Sequence, residues 1–208
     1  MTRPRLTATL LLAAVTAAAF LVISLSGAAD QAALAMGFIP LRFHAAAPWA
    51  ALPAWLTPLS ATLVHAGFFH LVMNMLLLVW CGREVERVLG PGPVVMIYLA
   101  GAFAAAAGQY VLDPVSASPM VGASGAVSAL VGAFALSFSR PRPLVSNIRL
   151  NRAINIVWIL VAWVGLQWMA SYLMGMQGVM VATGAHVGGF IAGVALQKPL
   201  LLWRYRRA

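Results

Sequence analysis

The sequence predicts an all-α polytopic membrane protein with six transmembrane helices. Of its 208 residues, 62% are hydrophobic and only 8% are charged, whereas soluble domains carry about 25% charged residues. The apolar residues form runs of about 20, the length that crosses a bilayer as a helix. A soluble fold of this size could not hide so much apolar surface from water. We therefore expect one membrane domain over residues 1–208.

The six predicted spans follow the apolar runs in chain order. They cover about residues 6–28, 61–81, 93–112, 120–139, 153–173 and 183–203. The first run could instead be a signal peptide, but it is longer than the usual apolar core of 7–15 residues, so we expect it to be retained. Residues 30–60 contain prolines and aromatic residues and are too broken to span. We expect this segment to lie at the outer interface, where tryptophan is enriched.

The basic residues predict that both termini are cytoplasmic. With that orientation, only Arg42 of the thirteen Lys and Arg residues falls outside, and cytoplasmic loops are the ones enriched in these residues. The net charge of +9 is explained by topology, because the basic residues do not form the continuous face that a nucleic-acid binder needs. The expected partner is therefore the lipid bilayer and not a nucleic acid.

Polar side chains inside the predicted spans are the functional candidates, since burying them in lipid is costly. Span two carries His65, His70 and Asn74, while Ser124 and His186 lie near the starts of spans four and six. Each has an ordinary explanation when taken alone: a serine can bond its own helix, and a histidine can be a packed core residue. A metal site built from the three histidines is disfavoured, because His65 and His70 point in different directions around the helix. We expect no metal and no cofactor.

Ser124 and His186 together predict a catalytic dyad. Each lies about one turn inside the outer end of its predicted span, so the two fall at similar depth. A neutral imidazole can accept the proton of a serine hydroxyl within hydrogen-bond reach and so create a nucleophile. No acidic residue falls near enough to complete a triad. Gly189 and Gly193 share one stripe of span six and would let spans four and six pack closely.

Acyl transfer also needs hydrogen-bond donors for the developing oxyanion. The start of span four offers unpaired backbone N–H groups around Ser124. His70 and Asn74 are four residues apart on one helical face, and they would add side-chain donors if that face points at Ser124. Gly122 and Gly125 would let a substrate backbone approach closely.

These residues resemble the rhomboid family of intramembrane serine proteases. The resemblance covers residues 65–193 in four segments that occur in the family's order. The segments are His65 with His70 and Asn74, Gly82 through Glu86 to Gly90, Gly122-Ala-Ser124-Gly125, and Ala185-His186 with Gly189 and Gly193. Any one segment is a weak pattern, but the joint match on six spans is specific.

The resemblance implies a role for each matching residue. Ser124 would be the nucleophile and His186 the general base. An oxyanion hole would be formed by His70, Asn74 and the backbone N–H of Ser124. The supporting residues would be His65, Gly122, Gly125, Gly189, Gly193 and Glu86, with Glu86 bracing the inner end of span two.

The resemblance also implies an activity and a class of substrate. Transmembrane proteins would be cut within or next to their membrane span near the outer interface. The alanine-rich chain with six spans favours a bacterial inner membrane, with an organelle membrane as the other candidate location. The alternative is a catalytically inactive rhomboid-like protein that binds transmembrane clients. The physiological substrate, the cleavage site and the oligomeric state stay open.

Two positions depart from the family's pattern, and one set of tryptophans has no assigned role. Trp55 is followed by Leu56, where the family often has arginine. Ser128 stands where many members carry an aromatic residue against which the histidine packs, so His186 is expected to have less support. In span five, the three tryptophans at positions 158, 163 and 168 are predicted to be mostly lipid-facing or interfacial anchors. The resemblance implies an alternative for some of them, because the fifth helix of rhomboid-like proteins borders the side where substrate enters.

Overall fold

The protein is a bundle of α-helices in the computed structural model, which describes residues 7–45, 50–138, 145–173 and 182–206. The helices are α1 (Ala8–Leu25), α2 (Ala29–Met36), α3 (Thr57–Ser60), α4 (Phe68–Leu89), α5 (Pro91–Leu112), α6 (Ser124–Phe138), α7 (Ile148–Leu173) and α8 (Thr183–Arg204). The predicted outer segment also contains 3-10 turns at Pro40–Phe43 and Ala54–Leu56. These described ranges contain no β-strand, which confirms the all-α prediction.

Five of these helices, namely α1, α4, α5, α7 and α8, are long and apolar enough to cross a membrane. The sixth apolar helix, α6, covers Ser124–Phe138 and reaches the end of a described range. It begins four residues later than the predicted span because residues 120–123 are held in non-helical backbone. There Phe38 and Met120 form a β-bridge, and the Gly122 N–H donates to the Ala61 carbonyl at 2.9 Å.

The bounds of α4 differ most from the prediction of a span over residues 61–81. The helix begins at Phe68, after a 3-10 turn at Ala61–Leu63, and continues to Leu89. It ends at Gly90, whose φ of +87° is in the left-handed region. The prediction followed hydropathy, which marks the apolar part of a helix and not its ends. The charged residues after position 82 extend the same helix, and His65 lies just before it.

The centre of the bundle is α6, which is packed against α4, α5 and α8. Most of its side chains are buried, including Val127 and Leu130. Its contact with α8 is unusually close because α8 presents glycines to the α6 backbone. A Cβ atom at Gly189 would overlap the carbonyl of Gly125, and one at Gly193 would overlap the carbonyl of Ala129. Small residues at such positions are what lets membrane helices approach backbone to backbone.

Glu86, near the C-terminal end of α4, anchors the start of α1. One carboxylate oxygen of Glu86 accepts the N–H of Ala8 at 2.9 Å, and the other accepts the N–H of Thr9 at 3.0 Å and its hydroxyl at 2.5 Å. The carboxylate thus satisfies donors at the positive end of the α1 dipole. At the same end of the bundle, the Tyr205 hydroxyl donates to the Val88 carbonyl at 3.0 Å. The start of α1 and the end of α8 therefore lie on one face.

Replacing Glu86 by alanine should destabilise the bundle by about 1–3 kcal/mol, because buried N–H donors at the start of α1 lose their acceptor. Glu84→Ala is the matched control: Glu84 pairs with Arg87 at the surface, and such a pair contributes about 0–1 kcal/mol. Thermal melting of the detergent-purified variants measures both effects. Equal melting temperatures for the two variants would show that the cap on α1 is not a source of stability.

Candidate active site

The two residues of the predicted dyad are brought together by α6 and α8. Ser124 is the first residue of α6, and His186 lies in the first turn of α8. Ser124 Oγ and His186 Nε2 are 2.9 Å apart, a hydrogen-bonding distance. His186 is only 4% exposed, whereas Ser124 is half-buried. A serine at this position is also surrounded by the unpaired N–H groups of a helix start.

The imidazole of His186 is oriented without a carboxylate. If Nε2 is to accept the serine proton, the ring proton of the neutral histidine must be on Nδ1. Nδ1 is buried and has no hydrogen-bond partner among the described residues. The orientation of the ring must therefore come from packing against its neighbours.

Part of that packing comes from Trp163 on α7. The Trp163 and His186 rings meet edge to face, with centroids 6.5 Å apart and an interplanar angle of 62°. Trp163 is 5% exposed, while Trp158 on the same helix is 67% exposed. The prediction of a lipid-facing or interfacial residue is therefore wrong for Trp163. The aromatic neighbour that position 128 does not supply to His186 comes instead from a different helix.

A periodic signal for the buried position of Trp163 is present in the sequence. Ile156, Leu160 and Trp163 recur at i, i+4 and i+7, which is the spacing of one helical face. Ile156 and Leu160 are partly buried against the core.

On the other side of Ser124, the ring of His70 lies directly over Gly122. A Cβ atom at Gly122 would be 2.6 Å from Cε1 and 2.8 Å from Nε2 of His70, and the φ of Gly122 is +113°. Both the space and the backbone conformation therefore require glycine. The N–H of Ala66 donates to His70 Nδ1 at 3.4 Å, which leaves Nε2 to carry the ring proton as a donor.

His65 and Asn74 both contact His70. The N–H of Ala123 donates to His65 Nε2 at 3.4 Å, and the rings of His65 and His70 are 5.0 Å apart. His65 therefore holds the residue before Ser124 in place. The side chain of Asn74 is buried, and its amide nitrogen donates to the carbonyl of His70 at 2.9 Å. One of its two N–H groups is thus bonded within its own helix.

The sequence predicted that Gly125 would let a substrate backbone approach closely. In the structure Gly125 does not open a path for substrate. It is buried, and a Cβ atom there would overlap the Cβ of Ala105 on α5. Its small size therefore serves the packing of α6 against α5. Among the residues that the structure describes, no three His, Cys, Asp or Glu side chains are grouped so that they could hold a metal ion.

The fold and the site define a class of protein: a helical membrane bundle that encloses a serine–histidine pair. A family model described as the Rhomboid domain matches residues 53–203, and the chain belongs to the rhomboid family. Rhomboid-related protein 2 of Mus musculus is 30% identical over 139 residues, which are 66% of this chain and 45% of that protein. Rhomboid protease GluP of Bacillus subtilis (strain 168) is 30% identical over 146 residues, 70% of this chain and 27% of that protein. The matched region is less than half the length of either relative.

The close contact of Gly122 and His70 makes opposite predictions for two glycine substitutions. Gly122→Ala should destabilise the protein by about 1–3 kcal/mol, because alanine is strained at positive φ and its methyl group would displace the imidazole. Gly165→Ala should be neutral or stabilising by up to about 1 kcal/mol, since it lies in α7 with open space around it and alanine is the better helix former. Melting temperatures test the pair. A Gly122→Ala protein as stable as Gly165→Ala would contradict the observed position of His70.

Proposed function

We propose that the protein is an intramembrane serine endopeptidase that cleaves transmembrane proteins within or next to their membrane span, near the outer interface. The observation that carries this proposal is the 2.9 Å distance between Ser124 Oγ and His186 Nε2 inside a helical membrane bundle. Membership of the rhomboid family and the similarity to a protein named rhomboid protease support it. No cofactor is needed for this chemistry.

The proposed reaction passes through an acyl-enzyme. His186 Nε2 accepts the proton of the Ser124 hydroxyl while Oγ attacks the carbonyl carbon of the scissile peptide bond. The protonated imidazole then gives that proton to the leaving nitrogen, and the C–N bond breaks. In the second half, His186 deprotonates a water molecule that attacks the Ser124 ester. Return of the proton to Oγ releases the carboxylic acid and restores the dyad.

We propose three donors for the oxyanion, namely the backbone N–H of Ser124, His70 Nε2 and the amide of Asn74. The backbone N–H of Ser124 belongs to the first turn of α6, where the helix dipole also favours negative charge. His70 Nε2 lies over Gly122, two residues away. The amide nitrogen of Asn74 has a second N–H beyond the one that bonds the His70 carbonyl. Preorganised donors of this kind stabilise the transition state more than the bound substrate.

The location of the dyad favours membrane-embedded substrates. His186 is buried between helices that are long and apolar enough to span a bilayer, so a substrate segment would reach Ser124 from within the membrane. Its helix would have to unwind there, because a helical peptide bond hides its carbonyl from attack. The non-helical backbone before Ser124 is bonded to the predicted outer segment, consistent with cleavage near that surface. We place the protein in a bacterial inner membrane with both termini cytoplasmic.

Labelling with a fluorophosphonate probe tests the dyad directly. The folded wild type should be labelled, and Ser124→Ala and His186→Ala should each lower the rate at least about 100-fold, because one removes the nucleophile and the other its base. Ser137→Ala is the matched control, since Ser137 lies near the other end of α6 and accepts a hydrogen bond from Gln197. It should be labelled like the wild type.

Absence of labelling in a wild type that melts like its variants would contradict the protease. The client-binding alternative would then account better for the fold. Cleavage of a transmembrane reporter in reconstituted vesicles distinguishes the two functions: only the protease converts the reporter to fragments, and Ser124→Ala should leave it intact.

The oxyanion hole makes a separate kinetic prediction. Loss of one such donor lowers kcat by about 10²–10³-fold, so Asn74→Ala and His70→Ala should lower kcat on the reporter by that amount with little change in KM. His44→Ala is the control, because His44 lies in the outer segment and forms a hydrogen bond with Tyr110 on α5, and no contact with Ser124 is seen among the described residues. Rates within twofold of the wild type for Asn74→Ala would exclude that side chain from the oxyanion hole.

A further inference from the structure

We propose that Trp163 is the positioning residue of the dyad, so that the docking of α7 determines the geometry of Ser124 and His186. The inference rests on the proposed function, because it concerns how the same pair is held. Trp163 does not lie between the reacting atoms. It would act through two neighbours, the ring of His186 and the hydroxyl of Ser128.

The contact between Trp163 and His186 restrains the orientation of the imidazole ring, which the hydrogen bonds of His186 do not fully fix. Nδ1 of His186 has no partner among the described residues. In that part of the chain, the bond between Nε2 and Ser124 Oγ is therefore the one hydrogen bond of the ring, and no second polar contact holds the opposite side of the ring. The Trp163 ring meets it edge to face at 6.5 Å between centroids, which lies within the preferred range for aromatic pairs. Movement of the indole would allow the imidazole to turn away from Ser124.

The contact with Ser128 reaches the other member of the dyad. Trp163 Nε1 donates to Ser128 Oγ at 2.7 Å, and Ser128 Oγ donates to the backbone carbonyl of Ser124 at 2.7 Å. The Ser128 hydroxyl is completely buried, and its single proton is used for the bond to Ser124. One indole therefore contacts both the histidine and, through one hydroxyl, the peptide group of the nucleophile.

The remaining contacts of α7 make this indole the main connection between that helix and the site. Among the described side chains of α7, only Asn151 and Trp163 are buried, and Asn151 lies near the opposite end. A second indole, that of Trp168, is exposed and donates to the Thr183 hydroxyl at the start of α8 at 3.0 Å. Near the dyad, Trp163 is therefore the buried side chain that α7 contributes among the described residues. A shift of α7 at this point would withdraw the indole from the ring of His186 and from the hydroxyl of Ser128.

The rate of fluorophosphonate labelling tests the effect on the dyad. Trp163→Leu should lower it about 10-fold or more, and Trp163→Phe, which keeps a ring but loses the N–H, should lower it by about threefold, since misplacement of a reacting group by about 1 Å is enough for such losses. Trp158→Leu is the matched control on the same helix and should label like the wild type. On a transmembrane reporter, Trp163→Leu should lower kcat with KM within about twofold, because the buried indole does not touch substrate.

Either of two results would overturn the proposal: wild-type labelling of Trp163→Leu, or an equal loss in Trp158→Leu. Melting temperatures establish that the compared variants are folded. If Trp163→Leu does not fold, Trp163→Phe and Ser128→Ala decide the question, because each removes one end of the same hydrogen bond. Both should label more slowly than the wild type, and unchanged rates in both would refute the role of the hydrogen bond.

A spectroscopic measurement keeps this inference separable from the proposed activity. Selective ¹⁵N labelling gives one indole resonance for each of the seven tryptophans, and Trp163→Phe identifies the one that belongs to Trp163. Ser128→Ala and His186→Ala should each shift that resonance and leave that of Trp158 in place. If the fluorophosphonate probe does not label the wild type, the proposed function fails. The shifts of the Trp163 resonance would still support the contact of Trp163 with Ser128 and His186. A Trp163 resonance that moves in neither variant would overturn the inference that Trp163 positions the dyad.

Discussion

The dyad depends on direct contact between the backbones of α6 and α8. Gly189 and Gly193 face the carbonyl groups of Gly125 and Ala129 with no room for a methyl group. Ser124 is one residue before the first of these contacts on α6, and His186 is three residues before it on α8. Any substitution that separates the helices would therefore lengthen the distance of 2.9 Å between Ser124 Oγ and His186 Nε2. Because protein interiors are close-packed, the pair tolerates little adjustment.

The bundle divides into a tightly packed part and two peripheral helices. On the side of α5, a Cβ atom at Gly108 would overlap the Gly184 carbonyl, and one at Gly188 would overlap the Ala104 carbonyl. The three helices α5, α6 and α8 therefore form one unit in which backbones touch. By contrast, α1 is fastened by hydrogen bonds to Glu86, and near the site α7 is fastened by Trp163. Parts of a protein with few buried contacts open at the lowest free energy, so motion is expected first at α1 and α7. Motion of α7 would release the ring of His186 while the backbones of α6 and α8 stay in contact.

Much of this arrangement could be predicted because a bilayer imposes strong constraints on sequence. Apolar runs located the helices, and the cost of burying polar groups in lipid made Ser124 and His186 stand out. The ends of α4 could not be predicted in the same way, because helical hydrogen bonding continues into charged sequence where hydropathy falls. The inward position of Trp163 was missed because tryptophan is common both in cores and at interfaces. Whether a tryptophan is buried in the core or lies at the interface depends on the helix that faces it. For Trp163 the facing residue is Ser128 on α6, whose small side chain leaves room for the indole.

Because α6 is enclosed by other helices, the position of Ser124 depends on the bundle and not on the thickness of the bilayer. Helices that face lipid must match the local hydrocarbon thickness by tilting or by deforming the membrane. The described part of α6 does not face lipid, because its neighbours cover most of its side chains, and non-helical backbone precedes it at residues 120–123. Such backbone is tolerated at membrane depth only where protein or water surrounds it. The depth of Ser124 is therefore a property of the bundle itself, and a thinner or thicker membrane would leave it unchanged relative to the surrounding helices.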